Sequence, residues 1–253
     1  MSIIKGKVKK TNIISLIKRH IIVFLLNQLS KLKFILINKF SGIDMGGTTP
    51  PRHKNDPSSN YCPYQPSDTW YLKKIMEVFL IKQSDKLLDY GSGKGAAMIF
   101  FSRYPFCEIG GIEYDENLHE TAKNNFKLKE LNYLTSYYGD ATQFTNIDHY
   151  TYFFLFNPFL GKVLELTIEQ IKQSFTRSPR KITVIYQNPR ENVLFVNSGL
   201  FPYIRHCFVP SILNFNKDNK GYGRQFIDIY CTEQLNIDYA KSGIKLIENC
   251  NDK

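Results

Sequence analysis

Between Lys86 and Thr232 short apolar runs alternate with segments whose apolar residues recur at intervals of three and four. The first pattern suits strands buried in a sheet, and the second suits helices with one buried face. The runs predict strands at Lys86–Tyr90, Glu108–Glu113, Leu134–Tyr138, Tyr152–Asn157, Lys181–Tyr186, Tyr203–Val209 and Gln225–Thr232. The periodic segments predict helices at Asp68–Ile81, Ala96–Arg103, Asp115–Leu131 and Lys162–Phe175. Ser67 or Asp68 caps the first of these, and Asp115 caps the third. Strand–helix alternation argues for an α/β domain with a mostly parallel sheet and helices on both faces. The last two strands have no helix between them, which argues for a C-terminal antiparallel hairpin at one edge. A long polar loop, Asn214–Gly223, joins them.

Outside this zone the pattern changes. Residues 1–44 read as a basic N-terminal helical arm, 45–60 as a linker or lid loop, 61–233 as the main domain and 234–253 as a weakly patterned tail. The chain of 253 residues carries a net charge of +10. Residues 1–54 hold 11 Lys or Arg against the single acid Asp44, and the remaining residues carry 22 of each sign. The excess is therefore a property of the arm, not of the domain. An arm that mixes Ile, Leu and Phe with Lys suits an anionic membrane surface or nucleic acid. The alternative is a helical pair packed on the domain through its apolar residues. The apolar run Ile21–Leu26 is too short to span a bilayer, and no small-residue cleavage site follows it.

Five scattered cysteines without a C-x-x-C pair suggest reduced thiols in a cytoplasmic protein, peripheral to the membrane if the arm binds one. The five histidines are equally scattered, so no metal site is expected.

The segment Leu87-Leu88-Asp89-Tyr90-Gly91-Ser92-Gly93-Lys94-Gly95-Ala96 takes an apolar strand through alternating glycines into a helix. Glycine allows the tight turn and the close approach of a ligand, and the helix start offers free N–H groups. Gly91-x-Gly93-x-x-Ala96 also fits a dinucleotide fingerprint. A pyrophosphate would find an acid at Asp89 a poor neighbour, whereas a ligand bearing an ammonium and a sulfonium would not. Glu113 ends the second strand, where a carboxylate can take both hydroxyls of a ribose. Asp140, in Gly139-Asp140-Ala141-Thr142, can meet an adenine amino edge directly or through its backbone, and it can equally be a turn residue. The strand Phe153–Phe156 opens onto Asn157-Pro158-Phe159 at the carboxyl edge of the sheet. There Asn157 can accept a hydrogen bond from a substrate N–H, and Phe159 can pack on a flat group; a strand-ending turn is the alternative.

Taken together, these segments resemble the class I S-adenosylmethionine-dependent methyltransferases, and within them a group of bacterial proteins. The resemblance runs from about Gly42 to Cys231. It includes Gly42-Ile43-Asp44, Tyr64-Gln65-Pro66-Ser67, the glycine loop, Glu113, Asp140, Asn157-Pro158-Phe159 and Val184-Ile185-Tyr186-Gln187-Asn188-Pro189. It implies a Rossmann-like fold, a seven-stranded sheet ending in a reversed hairpin, and S-adenosyl-L-methionine as cofactor. It implies cofactor contacts at Tyr64, Asp89, Gly91, Gly93, Glu113 and Asp140. It also implies that Tyr61–Ser67 folds over the methionine end of the cofactor, as similar segments do in non-SET histone lysine methyltransferases. Asn157-Pro158-Phe159 is similar to the Asn/Asp-Pro-Pro-Tyr/Phe motif of methyltransferases acting on planar amines, with one proline fewer, which makes these three the catalytic candidates.

Asn157 is not a base, so it can align an N–H but not remove a proton. A neutral planar amine needs no more; a lysine needs deprotonation, for which Tyr61 and Tyr64 are the candidates. A nicotinamide-dependent oxidoreductase and a non-catalytic adaptor remain as alternatives at this stage.

Overall fold

The computed structural model describes residues 42–49, 60–209, 225–234 and 244–246, with five helical positions between residues 21 and 36. The expected loop 214–223 and most of the arm lie outside the described residues.

The strands are β1 (Lys86–Tyr90), β2 (Glu108–Glu113), β3 (Leu134–Tyr138), β4 (Tyr152–Leu155), β5 (Thr183–Gln187), β6 (Tyr203–Val209), β7 (Gln225–Cys231) and β8 (Lys245–Leu246). The helices of the domain are α1 (Thr69–Met76), α2 (Ala96–Phe101), α3 (Glu116–Leu128), α4 (Gly161–Arg177) and α5 (Asn192–Asn197). They build one sheet in the order β3-β2-β1-β4-β5-β7-β6-β8. Strands β1 to β5 are parallel to one another, and β7 runs antiparallel between β5 and β6. The fold is thus Rossmann-like with the expected reversed pair. The sheet has eight strands, the eighth being a two-residue pairing of β8 with β6 that the weak pattern of the tail did not reveal.

Alternating side chains divide the core between the two faces of the sheet. Leu87, Phe154 and Ile185 join α1, α2 and α3 on one face. Leu88, Tyr90, Phe153, Leu155 and Tyr186 join α4 and Phe195 of α5 on the other. Both faces being apolar, the strands read as continuous hydrophobic runs.

Helix ends moved where packing overrode periodicity. Asp68 caps α1, its carboxylate accepting from the Trp70 N–H at 2.8 Å. The helix stops at Met76 instead of Ile81. The Val78 and Phe79 N–H groups bond to Ile75 and Met76, and the Phe79 ring meets Tyr152 edge-on at 5.8 Å. Asp115 caps α3 as expected, with bonds from Asn117 and Leu118. Helix α5 was not expected from the sequence; it is six residues long with a single buried side chain, Phe195.

The segment 42–49 lies on the domain. Ile43 is 1% exposed. The buried Asn125 of α3 donates to the carbonyls of Asp44 (2.7 Å) and Lys94 (2.9 Å) and accepts from the Asp44 N–H (2.9 Å). Lys94 pairs with the Asp44 carboxylate at 2.7 Å. This strap ties residues just after the arm to the glycine loop.

Candidate functional site

Strand order reverses between β1 and β4, and a crevice opens beyond the carboxyl ends of strands at such a point. A pocket occupies it. Its floor comes from Asp89, Gly91 and Ser92 after β1, its side from Glu113, Tyr114 and Asp115 after β2, and its far wall from Phe156 to Phe159 after β4. Residues 61–67 and Thr49 close it from above.

The glycine loop is shaped by close contacts. Gly91 has a φ of +71°, and a β-carbon there would lie 2.2 Å from Cβ of Pro158. Gly93 has a φ of +55°, and a β-carbon there would lie 2.3 Å from the Tyr64 ring. Both positions therefore demand glycine on conformation and on space. Pro158 and Tyr64, each expected at the site, hold the loop from two sides. The Tyr64 hydroxyl donates to the Met45 carbonyl at 2.8 Å, and a short bridge pairs Tyr64 with Thr49.

Asp89 is 3% exposed, and burial first, then the charge of Glu113, pushes its carboxyl well above the usual range. Glu113 is also raised, by burial, against the opposing effect of the backbone N–H groups it accepts from. Its two oxygens accept from the Gly93 N–H at 2.7 Å and the Asp115 N–H at 2.8 Å. The Tyr114 N–H adds a third backbone bond, and a carboxylate has about four lone-pair sites, so about one remains for a ligand hydroxyl.

Asp89, Glu113 and Asp115 line the pocket, and no Lys, Arg or His does. Lys94, although in the loop, turns away to Asp44 and to the Gly46 carbonyl at 3.0 Å. Two desolvated carboxyls with no cation beside them could offset the charge of a cationic ligand.

Asp140 takes the turn role. Its Oδ1 accepts from the Thr142 N–H and hydroxyl, both at 2.8 Å, while its neighbours Gly139 and Ala141 line the pocket. The ring of Tyr61 stacks on Tyr114 with centroids 4.9 Å apart and planes at 20°. Burial, with the nearby Asp140 charge, pushes the Tyr61 phenol up to about 12, and burial raises Tyr64 further.

The lid segment pairs with the Asn-Pro-Phe turn. Tyr61 bridges to Phe159, and the Cys62 N–H donates to the Pro158 carbonyl at 3.0 Å. Phe159 is 3% exposed and packs edge-on against Tyr90, so it is mainly a wall of the core. Asn157 adopts a left-handed backbone with a φ of 45°. Its Nδ2 donates to the Asn188 carbonyl at 2.6 Å, and its Oδ1 is buried without a partner. A buried, unpaired acceptor costs free energy that a donated ligand hydrogen bond would recover.

Asn157 also lines a second, adjoining cleft of about 600 Å³, with Thr48, Cys62, Gln65, Phe156, Asn188 and Arg190. The pocket and this cleft share Cys62, Pro63, Tyr64, Gln65, Phe156 and Asn157. Sequence reasoning quoted Phe156 and Asn188 only inside longer segments, with no role of their own, and did not name Arg190. Their signal was position alone: Phe156 ends the β4 run, and Asn188-Pro189 follows β5 as Asn157-Pro158 follows β4. Among the described residues no group of His, Cys, Asp or Glu is placed to hold a metal ion.

No family model matches the sequence. Solved structures do resemble the fold. A methyltransferase from Pyrococcus furiosus aligns over 82% of this chain and 99% of its own, with a TM-score of 0.52 and 12% identity. The two share a fold. An RNA methyltransferase from Salinibacter ruber, in complex with S-adenosyl-L-homocysteine, covers 68% of this chain and 95% of its own at 17% identity and a TM-score of 0.47. TYW2 of M. jannaschii, in complex with AdoMet, covers 66% and 77% at 12% identity and a TM-score of 0.46.

Proposed function

We propose that this protein is an S-adenosylmethionine-dependent methyltransferase acting on a neutral amine nitrogen. The observation that carries the cofactor assignment is the pocket itself. Buried Asp89 and Glu113 line it, and none of its lining residues is basic. A dinucleotide would bring two phosphate charges against those carboxyls with nothing to offset them. S-adenosylmethionine carries an ammonium and a sulfonium and no phosphate.

When bound, the cofactor supplies an electrophilic methyl group on sulfur, with a neutral thioether as leaving group. The residues present fit such a ligand. Asp89 offsets its positive charge, the acceptor site left on Glu113 takes a ribose hydroxyl, and the stacked Tyr61–Tyr114 pair offers a flat surface. Tyr64 and residues 61–67 exclude water from above.

Asn157 lies where the cofactor pocket meets the adjoining cleft. Its Oδ1 can accept an N–H from a methyl acceptor and so aim the nitrogen lone pair. The Pro158 carbonyl is already taken by Cys62, which leaves Asn157 as the acceptor at this turn. A lysine acceptor would need a base. Tyr61 and Tyr64 both have raised phenol pKa values, and the Tyr64 hydroxyl is committed to Met45. Both stay protonated near neutrality, which favours an acceptor that is already neutral. The scattered cysteines fit a cytoplasmic enzyme of the bacterial group that the sequence resembles.

The test is a transfer assay with cofactor labelled at the methyl group, run against fractionated host extract. The wild type should label an acceptor, and Gly93→Arg should not. Label appearing equally with both proteins would sink the proposal.

A further inference from the structure

The cofactor pocket and the cleft beside it differ in charge. Acids line the pocket, whereas the only charged residue lining the cleft is Arg190. The turn after β5 brings Arg190 to Asn157. The Asn188 N–H donates to the Phe226 carbonyl at 2.7 Å, and the Asn188 carbonyl accepts from the Asn157 side chain. Asn188 has a left-handed backbone with a φ of 56°, and the Arg190 N–H donates to the Tyr186 hydroxyl at 3.4 Å. The backbone of the turn is thus fixed, while the Arg190 side chain is exposed. Its guanidinium hydrogen-bonds the Cys62 thiol, whose pKa is raised by burial against the opposing charge of Arg190. It forms no ion pair with a carboxylate among the described residues, and the neighbouring Glu191 carboxylate accepts from the Gly161 N–H instead. A guanidinium carries several donors in a planar fork, so most of them stay open to a ligand.

Resting on the reading of the pocket as a methyl-transfer site, we propose that the methyl acceptor is a small aromatic amine that also carries an oxyanion, and that Arg190 binds this oxyanion. The oxyanion is a phosphate or a carboxylate, either of which matches the fork with two oxygens at once. The amine end meets the buried, unpartnered Oδ1 of Asn157. Phe156 lines both the pocket and the cleft and gives the aromatic part an apolar wall at their junction. The cleft, of about 600 Å³, has the size of a small-molecule site. The charges also set the direction of entry. Asp89 and Glu113 repel an oxyanion and Arg190 attracts it, so the acceptor enters with its amine toward the pocket. A neutral acceptor would gain nothing from Arg190, and a cationic one would be repelled.

The test reads alkylation of Cys62 by iodoacetamide in the full chain, by mass spectrometry of the Cys62 and Cys107 peptides. Cys62 lines the cleft. The exposed Cys107 precedes β2, at the opposite edge of the sheet from the pocket, and serves as the internal control. Saturating S-adenosylhomocysteine keeps the probes out of the cofactor pocket. Two pairs of probes present an aromatic amine with and without an oxyanion: adenosine monophosphate against adenosine, and para-aminobenzoate against aniline. In at least one pair the anionic member should protect Cys62 at about tenfold lower concentration than the neutral one, with Cys107 unaffected. The pair with the larger gap identifies the oxyanion as phosphate or carboxylate. Arg190→Gln should abolish the gap and leave the melting temperature unchanged, since the side chain is exposed. Arg190→Lys should keep part of the gap, as a charge without the fork. Three results would overturn the proposal: no protection by any probe, equal protection by both members of both pairs, or a gap that survives in Arg190→Gln. Methyl transfer plays no part in this readout. Failure here with intact transfer refutes the acceptor class alone, and absent transfer with intact protection refutes the enzyme reading.

Discussion

The side-chain amide of Asn157 donates to the backbone carbonyl of Asn188 at 2.6 Å, and this fixes which end of the amide is left without a partner. The Oδ1 end is buried with no partner. Asn157→Ala removes that acceptor while leaving the walls of the pocket. Cofactor affinity should stay near normal, and transfer into the labelled acceptor should slow by about 10²-fold. Asn157→Asp should behave worse than its shape suggests. It puts a carboxylate oxygen against the Asn188 carbonyl, and urea unfolding should show a loss of about 1–3 kcal/mol.

Asp89 is expected to work against stability and for binding. Its folded pKa is raised, so the empty native state binds more protons than the unfolded chain between the ordinary carboxylate value and that raised value. Stability of the empty protein should therefore fall as pH rises through that window. Asp89→Asn removes the penalty. Its melting temperature near neutral pH should rise by a few degrees, about what 1 kcal/mol yields in a domain of this size. Its affinity for S-adenosylmethionine should drop by about tenfold or more, because the carboxylate is lost. Calorimetry in buffers of different ionisation heat should also show protons released when the wild type binds the cofactor.

Gly93→Ala tests the contact between the loop and the lid. The added β-carbon would meet the Tyr64 ring at 2.3 Å, on a backbone with positive φ. Cofactor affinity should fall by more than about tenfold, and stability by roughly 1 kcal/mol or more. Combining it with Tyr64→Ala should restore part of the stability, since the two changes share one contact.

Asn125→Ala should release the strap. The side chain is fully buried, and its three hydrogen bonds reach Asp44 and Lys94. Removing them leaves buried backbone groups unpaired, at a cost of about 2–4 kcal/mol by denaturant unfolding. Hydrogen exchange should rise first at residues 43–49.

What could be read from the sequence was local. The glycine loop, the acids ending β1 and β2, and the Asp115 cap each depend on neighbours a few residues away. Strands β1, β2, β3 and β6 began and ended where their apolar runs did. The features that escaped depend on distant partners. The strap is held by Asn125, 81 residues from Asp44, and nothing in Gly42-Ile43-Asp44 announces that. The early end of α1 follows from Phe79 packing on Tyr152. Helix α5 buries one side chain and so leaves almost no periodic signal. Asn157 was visible as a residue, but its left-handed backbone and its bond to Asn188 were not. Phe159 was expected to face a ligand, and its contact with Tyr90 makes it largely part of the core.

The central claim is that a pocket lined by buried Asp89 and Glu113, without a cation, takes S-adenosylmethionine. Isothermal titration of the full chain with S-adenosylmethionine, S-adenosylhomocysteine and a nicotinamide dinucleotide tests it most directly. The first two should bind without added metal, and Glu113→Ala should weaken both by about 1–3 kcal/mol, the scale of hydrogen bonds to a charged group. The dinucleotide should bind far more weakly or not at all. Tighter binding of the dinucleotide than of either sulfur ligand would contradict the account.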